Sequence, residues 1–137
     1  MTQEYVLDDQ IGYVLRRVTQ RHLALFSEAI PAVTTTQFAV LARLADLGPL
    51  SQNLLGRETA MDAATIKGVV DRLVREGLVA TTPDPEDRRR LTVSLTAAGQ
   101  GLFDTTKATA MTVSQRTLEP LEPAEQEQLL ALLTRLT

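Results

Sequence analysis

The stretch from Asp62 to Leu95 constrains the fold more than any other part of the chain. An amphipathic pattern from Asp62 to Glu76 predicts a helix that Gly77 ends. A turn rich in proline and aspartate follows, then three arginines, then the alternating segment Leu91–Leu95. This order predicts a helix followed by a β-hairpin with a charged tip, which is the arrangement that a winged helix-turn-helix uses to hold DNA.

The sequence before this stretch predicts three helices. The first is capped by Asp8 or Asp9 and runs to about Ile30, where Pro31 follows. The second opens with a capping box, 34–37, and stops at 48–49, where a Gly-Pro pair follows the apolar pattern. The third is short and has Ser51 as its N-cap. Together with the helix that follows Asp62, this short helix predicts a helix-turn-helix unit.

The sequence after the hairpin predicts two more helices. Thr96 caps a long helix from about 97 to 117, and Pro123 lies in the first turn of a last, leucine-rich helix. The predicted fold class is therefore mainly α with a two- to three-stranded β wing, a winged helix-turn-helix with six helices.

The helix after Asp62 has an apolar and a polar face. Small and polar residues on the polar face suit entry into a DNA major groove. The alternative is a surface helix whose charged outer face contacts only solvent. An exposed glycine in the middle of the helix, Gly68, instead favours close approach by a partner. The predicted DNA-binding residues come from this polar face, from the start of the preceding helix and from two arginines of the hairpin. They are Ser51, Gln52, Asn53, Ala63, Ala64, Thr65, Lys67, Gly68, Arg72, Arg75, Arg88 and Arg90.

Strand alternation separates the three arginines of the hairpin. Arg89 shares parity with the apolar positions of the return strand, so we expect it to point inward and brace the wing by pairing with Asp71 or Asp87. Arg88 and Arg90 should point outward, towards phosphates or the minor groove. A solvated turn with weak ion pairs is the alternative.

Composition narrows the function further. The net charge is −3, and seven basic residues between 57 and 95 are matched by seven acidic ones, so local placement of arginine must serve any DNA binding. The chain has no cysteine and one histidine, and it shows no phosphate loop or metal-ligand spacing. We therefore expect a cytoplasmic protein that is not an enzyme and has no metal, cofactor or membrane segment. A helical adaptor that does not bind DNA is the alternative function.

Several motifs together resemble the MarR family of bacterial transcription regulators. They are T-x-x-Q-F-x-x-L-x-x-L (34–44), S-Q-N-L-L-G (51–56), D-R-L-V-R-E-G-L-V (71–79) and D-P-E-D-R-R-R-L-T-V-S-L-T-A-A-G (84–99). The resemblance covers nearly the whole chain. Two further segments, M-D-A-A-T-I-K-G-V-V-D-R-L and D-D-Q-I-G-Y-V-L-R-R, resemble regulators of aromatic-acid and nicotinate-type catabolism.

This resemblance implies a homodimer on a palindromic double-stranded operator. The single domain, 1–137, would divide into dimerisation helices, 1–33 and 97–137, and a DNA-binding lobe, 34–96. The leucines of the last helix cover a wider arc than one partner helix buries, which independently favours a dimer. The protein would be a repressor of a catabolic operon that a small anionic aromatic effector releases.

The effector site is predicted around His22, which lies in the apolar arc of the first helix. An arginine fork suits a carboxylate, and apolar side chains suit a ring. A histidine that is hydrogen-bonded in the core or at the dimer seam is the alternative. The predicted effector-binding residues are Arg16, Arg17, Arg21, His22, Phe26, Phe38 and Met111.

Overall fold

The computed structural model describes residues 3–137 and divides them into two compact units. The helical unit comprises the described residues up to Ala29 together with Thr109–Thr137, and the winged unit comprises Ile30–Ala108. Residues 1 and 2, with which the predicted dimerisation segment begins, lie outside the described range.

Six α-helices and a three-stranded antiparallel sheet confirm the predicted fold class. A 3₁₀ turn, Leu7–Asp9, precedes the first helix. The elements are α1 (Ile11–Ala29), α2 (Thr35–Leu47), β1 (Leu50–Ser51), α3 (Gln52–Glu58), α4 (Ala63–Arg75), β2 (Val79–Pro83), β3 (Leu91–Leu95), α5 (Ala97–Leu118) and α6 (Pro123–Thr134).

The start of α1 differs from the prediction. Asp8 and Asp9 lie within the 3₁₀ turn rather than at a helix cap. The side chain of Gln10 donates to the Val6 carbonyl at 2.9 Å, and the backbone carbonyl of Gln10 accepts from the Val14 N–H. The extra turn therefore displaces the helix start by one or two residues from the aspartates.

The winged unit has a core formed by one face of each helix and by the sheet. Leu41 and Leu44 of α2 are buried, and Val40 joins them. On α4, Val74 is 40% exposed, although it lies at the edge of the apolar face of the helix. The buried apolar residues contributed by α3, α4 and the strands are Leu55, Ile66, Val70, Leu73, Val79 and Val93.

The sheet has the order β1-β3-β2, so β3 is its centre. Pro83 pairs with Leu91 at the end of the edge strand β2, where the missing N–H of proline is tolerated. Thr96 caps α5 as predicted, because its Oγ1 accepts from the Gly99 N–H at 3.1 Å. The same hydroxyl donates to the Gly77 carbonyl at 2.7 Å, and this joins the end of α4 to the start of α5.

The helical unit contains α1, the end of α5 and α6. Arg21 donates to the carbonyls of Arg116 and Thr117, and Gln126 donates to those of Leu118 and Leu121. These bonds satisfy acceptors at the end of α5 and in the turn that follows it. No helix within residues 3–137 has the length and apolar character needed to span a bilayer. The large apolar residues left exposed in this unit include Ile11, Val14, Leu15, Val18, Leu129, Leu130, Leu132 and Leu136.

Candidate nucleic-acid interface

The first turn of α3 lies beside the sheet. The Ser51 hydroxyl accepts from the Leu54 N–H at 3.2 Å, which confirms the predicted cap. Ser51 also pairs with Thr92 on β3, so the start of α3 is held next to the hairpin. Asn53 is exposed here, whereas Ser51 and Gln52 are only partly exposed. Two of the three contact residues predicted at the start of α3 therefore have limited access to a partner.

The turn between α3 and α4 depends on one close approach and one unusual backbone conformation. A Cβ on Gly56 would meet the Met61 carbonyl oxygen at 3.1 Å and a methyl group of Ile66 at 3.2 Å. The Met61 N–H donates to the Gly56 carbonyl at 2.9 Å. Ala60 has a φ of 56°, a left-handed conformation that alanine rarely adopts. The sequence did not indicate the role of Ala60, since alanine carries no turn signal.

Asp62 fixes the start of α4. Its Oδ1 accepts from the Thr65 N–H at 2.7 Å, as predicted for a cap. This bond from the backbone of Thr65, together with a smaller contribution from its side chain, holds the pKa of the Asp62 carboxyl below its ordinary value of 3.8. The cap therefore fixes the first turn of α4, where its polar face begins.

The polar face of α4 is open along its whole length. All seven predicted contact residues of this helix are exposed: Ala63, Ala64, Thr65, Lys67, Gly68, Arg72 and Arg75. A Cβ on Gly68 would have no neighbour within 4 Å, so the folded chain itself does not require glycine there. The face has small residues near its start and two arginines in its last turn, which suits insertion into a groove.

Asp71 does not brace the wing. Its Oδ2 lies 2.8 Å from Nζ of Lys67, one helical turn away on the same exposed face. Residues four apart on a helix are direct neighbours, so the lysine reaches this carboxylate before any residue of the hairpin. The prediction that Asp71 pairs with Arg89 is therefore wrong, and Lys67 is partly neutralised by the pair.

The wing tip is a turn rather than an extension of the strands. The Asp84 N–H donates to the Arg90 carbonyl at 2.9 Å, and the Arg90 N–H donates to the Asp87 carbonyl at 2.9 Å. Strand pairing ends at Pro83 and Leu91, so residues 84–90 follow no strand alternation. The parity argument that separated the three arginines consequently does not apply to them.

Arg89 points outward, contrary to the prediction. Its side chain is 93% exposed, and its Nε lies 3.3 Å from Oδ1 of Asp87. The predicted pairing with Asp87 is thus present, but it orients an exposed side chain and does not bury it. Arg88 and Arg90 are exposed as predicted. All three arginines are accessible to a polyanion.

A small cleft lies between the start of α3 and the wing tip. Its volume is about 100 Å³, and its lining includes Gln52, Asn53, Arg89 and Arg90. The Oε1 of Gln52 is buried and has no hydrogen-bond partner. The cleft therefore joins the first turn of the helix-turn-helix to the arginine-bearing turn of the wing.

The predicted effector residues are distributed over both units. Phe38 belongs to the winged unit, where its ring lies 5.6 Å from that of Phe103. The other six lie in the helical unit. Arg17 stacks over Tyr13 at 5.9 Å, and Met111 is 66% exposed, so in the single chain Met111 forms no closed wall.

His22 and Arg21 are held by the end of α5. Nδ1 of His22 lies 2.8 Å from Oγ1 of Thr117, and its ring lies 6.5 Å from that of the buried Phe26. The Thr117 hydroxyl donates to the Val113 carbonyl, so it accepts from Nδ1–H, and Nε2 of neutral His22 is an acceptor. Arg21 is already engaged with backbone carbonyls, so it does not offer a guanidinium fork to an effector.

Comparison with known proteins identifies the family. A sequence model of the MarR family matches residues 33–90. The HTH-type transcriptional repressor NicR of Pseudomonas putida is 40% identical over 134 residues, which cover 96% of this chain and 85% of NicR.

Two solved structures have the same fold over almost their whole length. A probable transcriptional regulator from Pseudomonas aeruginosa has a TM-score of 0.92 at 51% identity, with 96% of this chain and all of that chain (100%) covered. BpsR of Bordetella bronchiseptica, whose DNA binding is regulated by 6-hydroxynicotinic acid, has a TM-score of 0.92 at 38% identity, with 98% and 97% covered. These relatives are regulators and not enzymes or adaptors. The chain belongs to the MarR family of transcription regulators.

Proposed function

We propose that the protein is a homodimeric repressor that binds a palindromic double-stranded operator and is released by a small aromatic acid. The open polar face of α4 is the observation that supports this most directly. It begins with three small or polar residues and ends with Arg72 and Arg75. Such a face can enter the major groove while the buried face of the helix stays packed on the winged unit.

The wing supplies the second DNA contact. Asp87 fixes the turn, because its Oδ1 accepts from both the backbone N–H and the Nε of Arg89. The two terminal amino groups of Arg89 have no partner among the described residues. We therefore add Arg89 to Arg88 and Arg90 as a residue that contacts phosphates or the minor groove. Because nearby acidic residues balance the charge, these contacts act locally and not through a long-range field.

The helical unit supplies the dimer interface. None of the residues of α6 is buried in the single chain, although the helix carries four leucines near its end. Burial of a leucine side chain contributes roughly 1.5–3 kcal/mol, so a face of several exposed leucines favours association. A second copy of the same unit would cover it. Two-fold symmetry would then place two α4 helices on one side of the DNA.

The effector is proposed to bind beside His22. Thr117 holds the ring as the Nδ1–H tautomer, so Nε2 can accept a hydrogen bond from a ring hydroxyl or N–H of the ligand. Arg16 remains available to meet a carboxylate, whereas Arg21 is taken by the end of α5. Because NicR and BpsR are both relatives, we infer a hydroxylated pyridine or benzene carboxylic acid.

Selection from genomic DNA tests this function. Sheared DNA of the source organism is incubated with the protein, and bound fragments are sequenced after several rounds at about 150 mM salt. We expect enrichment of an inverted repeat with half-site centres roughly one helical turn, about 34 Å, apart. Addition of 6-hydroxynicotinic acid should then release those fragments. No enrichment over a heat-denatured control would contradict the proposal.

A further inference from the structure

The cleft between the first turn of α3 and the wing tip contains a buried acceptor that lacks a donor. Gln52, Asn53, Arg89 and Arg90 are among the residues that line this cleft of about 100 Å³. The Oε1 of Gln52 is buried there and has no hydrogen-bond partner among residues 3–137. A buried carbonyl oxygen without a donor is unfavourable, because it has lost its bonds to water and gained none within the protein. The oxygen therefore requires a donor, and the cleft itself carries candidates.

The sheet holds Gln52 close to Arg90. Ser51 pairs with Thr92 in the antiparallel register of β1 and β3. One further step of that register along each chain brings Gln52 beside Leu91, which directly follows Arg90. The two residues consequently line the same cleft from neighbouring segments of backbone.

The backbone of Arg90 is fixed, whereas its side chain is not engaged. The Arg90 N–H donates to the Asp87 carbonyl, and the Arg90 carbonyl accepts from the Asp84 N–H, each at 2.9 Å. The guanidinium is exposed and makes no ion pair with any described residue. A guanidinium carries five N–H donors and no acceptor. Arg90 can therefore donate to the Gln52 carbonyl and still present several N–H groups to DNA.

Arg89 lines the same cleft but is less suited to this bond. Its Nε is engaged with Asp87 at 3.3 Å, and 93% of its side chain is exposed, so little of it lies near the buried carbonyl. The two arginines also differ in the partner that they would have. Asp87 neutralises part of the charge of Arg89, whereas the neutral amide of Gln52 would leave the full charge of Arg90 available to DNA.

We propose that Gln52 is a positioning residue for the wing, whose Oε1 accepts a hydrogen bond from the guanidinium of Arg90 when DNA covers the cleft. The inference rests on the proposed function, because it concerns the same protein–DNA interface. DNA removes water from the cleft, so the unpaired acceptor becomes more unfavourable and a bond from a charged donor becomes stronger. This bond joins the wing to α3 and fixes the direction of Arg90. Gln52 then acts through Arg90 and not as a direct contact to DNA.

Three substitutions test the pairing. Gln52→Met keeps the length of the side chain but removes the strong acceptor, Gln52→Glu keeps an acceptor, and Arg90→Ala removes the donor. Gln100→Met is the matched control, since Gln100 is exposed on α5 and does not line the cleft. Fluorescence anisotropy measures the affinity of each variant for a selected operator duplex. Thermal unfolding without DNA is measured for the same set.

We expect Gln52→Met to weaken operator binding roughly tenfold, because it removes a hydrogen bond from a charged donor. Gln100→Met should bind like the unaltered protein. The double variant Gln52→Met/Arg90→Ala should bind no more weakly than Arg90→Ala alone, because Gln52 acts only through Arg90. In the Gln52→Glu background, Arg90→Ala should be at least as harmful as in the unaltered protein, since the acceptor is still present. Without DNA, the Tm of Gln52→Met should be unchanged or higher, because an unpaired acceptor is removed.

Three results would overturn the pairing while leaving DNA binding intact. Additive losses in the double variant would mean that Gln52 contacts DNA directly. A fall of several degrees in the Tm of Gln52→Met would make Gln52 a structural residue. Equal operator affinity of Gln52→Met and the unaltered protein would show that the acceptor has no role in binding. Failure of the unaltered protein to bind any duplex would instead refute the proposed function, and the pairing with it.

Discussion

The Nε of Arg89 lies 3.3 Å from Oδ1 of Asp87, yet 93% of the arginine side chain is exposed. The same carboxylate oxygen accepts from the backbone N–H of Arg89 at 3.0 Å. Asp87 therefore holds the base of the side chain and leaves the end of the guanidinium accessible. An exposed ion pair contributes little to stability, so its role is to orient the arginine.

Replacement of Arg89 by alanine should weaken operator binding by about tenfold or more and reduce the salt slope by about one per half-site. Asp87→Ala should cause a smaller loss, because the arginine remains but is less well oriented. Arg57→Ala, which removes an equal charge from an exposed position near the end of α3, is the control. Anisotropy titrations across salt concentrations measure both quantities. Equal behaviour of Arg89→Ala and Arg57→Ala would exclude Arg89 from the interface.

Gly68→Ala should stabilise the protein and impair its function. A Cβ meets nothing within 4 Å, and alanine gains roughly 1 kcal/mol over glycine inside a helix, so Tm should rise by a few degrees. DNA affinity should fall, because the added methyl group would lie between α4 and the major groove of the DNA. Gly101→Ala on α5 is matched, since it also has open space. It should raise Tm without affecting DNA binding, and an equal loss of affinity in both variants would refute this account.

The cap of α4 should make stability depend on pH in acid. Hydrogen bonds from Thr65 lower the folded-state pKa of Asp62, so its contribution is present above the unfolded value near 3.8. The contribution is lost as pH falls through the lower folded-state value. Asp62→Asn keeps a capping side chain but does not titrate, so thermal unfolding between pH 2 and 7 should show a shallower acid decline than in the unaltered protein. Superimposable pH profiles would exclude this role.

His22 and Arg21 should have separable effects. His22→Ala should lower the affinity for 6-hydroxynicotinic acid by about tenfold, because Nε2 no longer accepts from the ligand. Arg21→Gln should lower Tm with or without ligand, since it removes two bonds to the end of α5. Calorimetric titration and thermal unfolding of each variant distinguish the two roles. Unchanged ligand affinity in His22→Ala would place the effector site elsewhere.

Local signals in the sequence identified most of the fold. The caps at Thr34, Ser51, Asp62 and Thr96 were predictable because each bonds an N–H only three residues away. The buried and exposed faces of α4 followed from helical periodicity, except at Val74, which lies on the apolar side but is exposed.

Features that depend on register or on distant residues were not predictable in this way. Alternation failed for the wing arginines because strand pairing ends before them, and the turn then sets their directions. Arg21 binds carbonyls 95 and 96 residues away, which no local pattern indicates.

Half-site spacing tests the central claim most directly. Anisotropy titrations compare the selected inverted repeat with a duplex in which about five base pairs are inserted between the half-sites. A dimer with two α4 helices on one side of the DNA predicts a loss of affinity of about a hundredfold, because the insertion moves one half-site to the opposite face. Equal affinity for both duplexes would contradict a two-fold dimer that reads successive major grooves through α4.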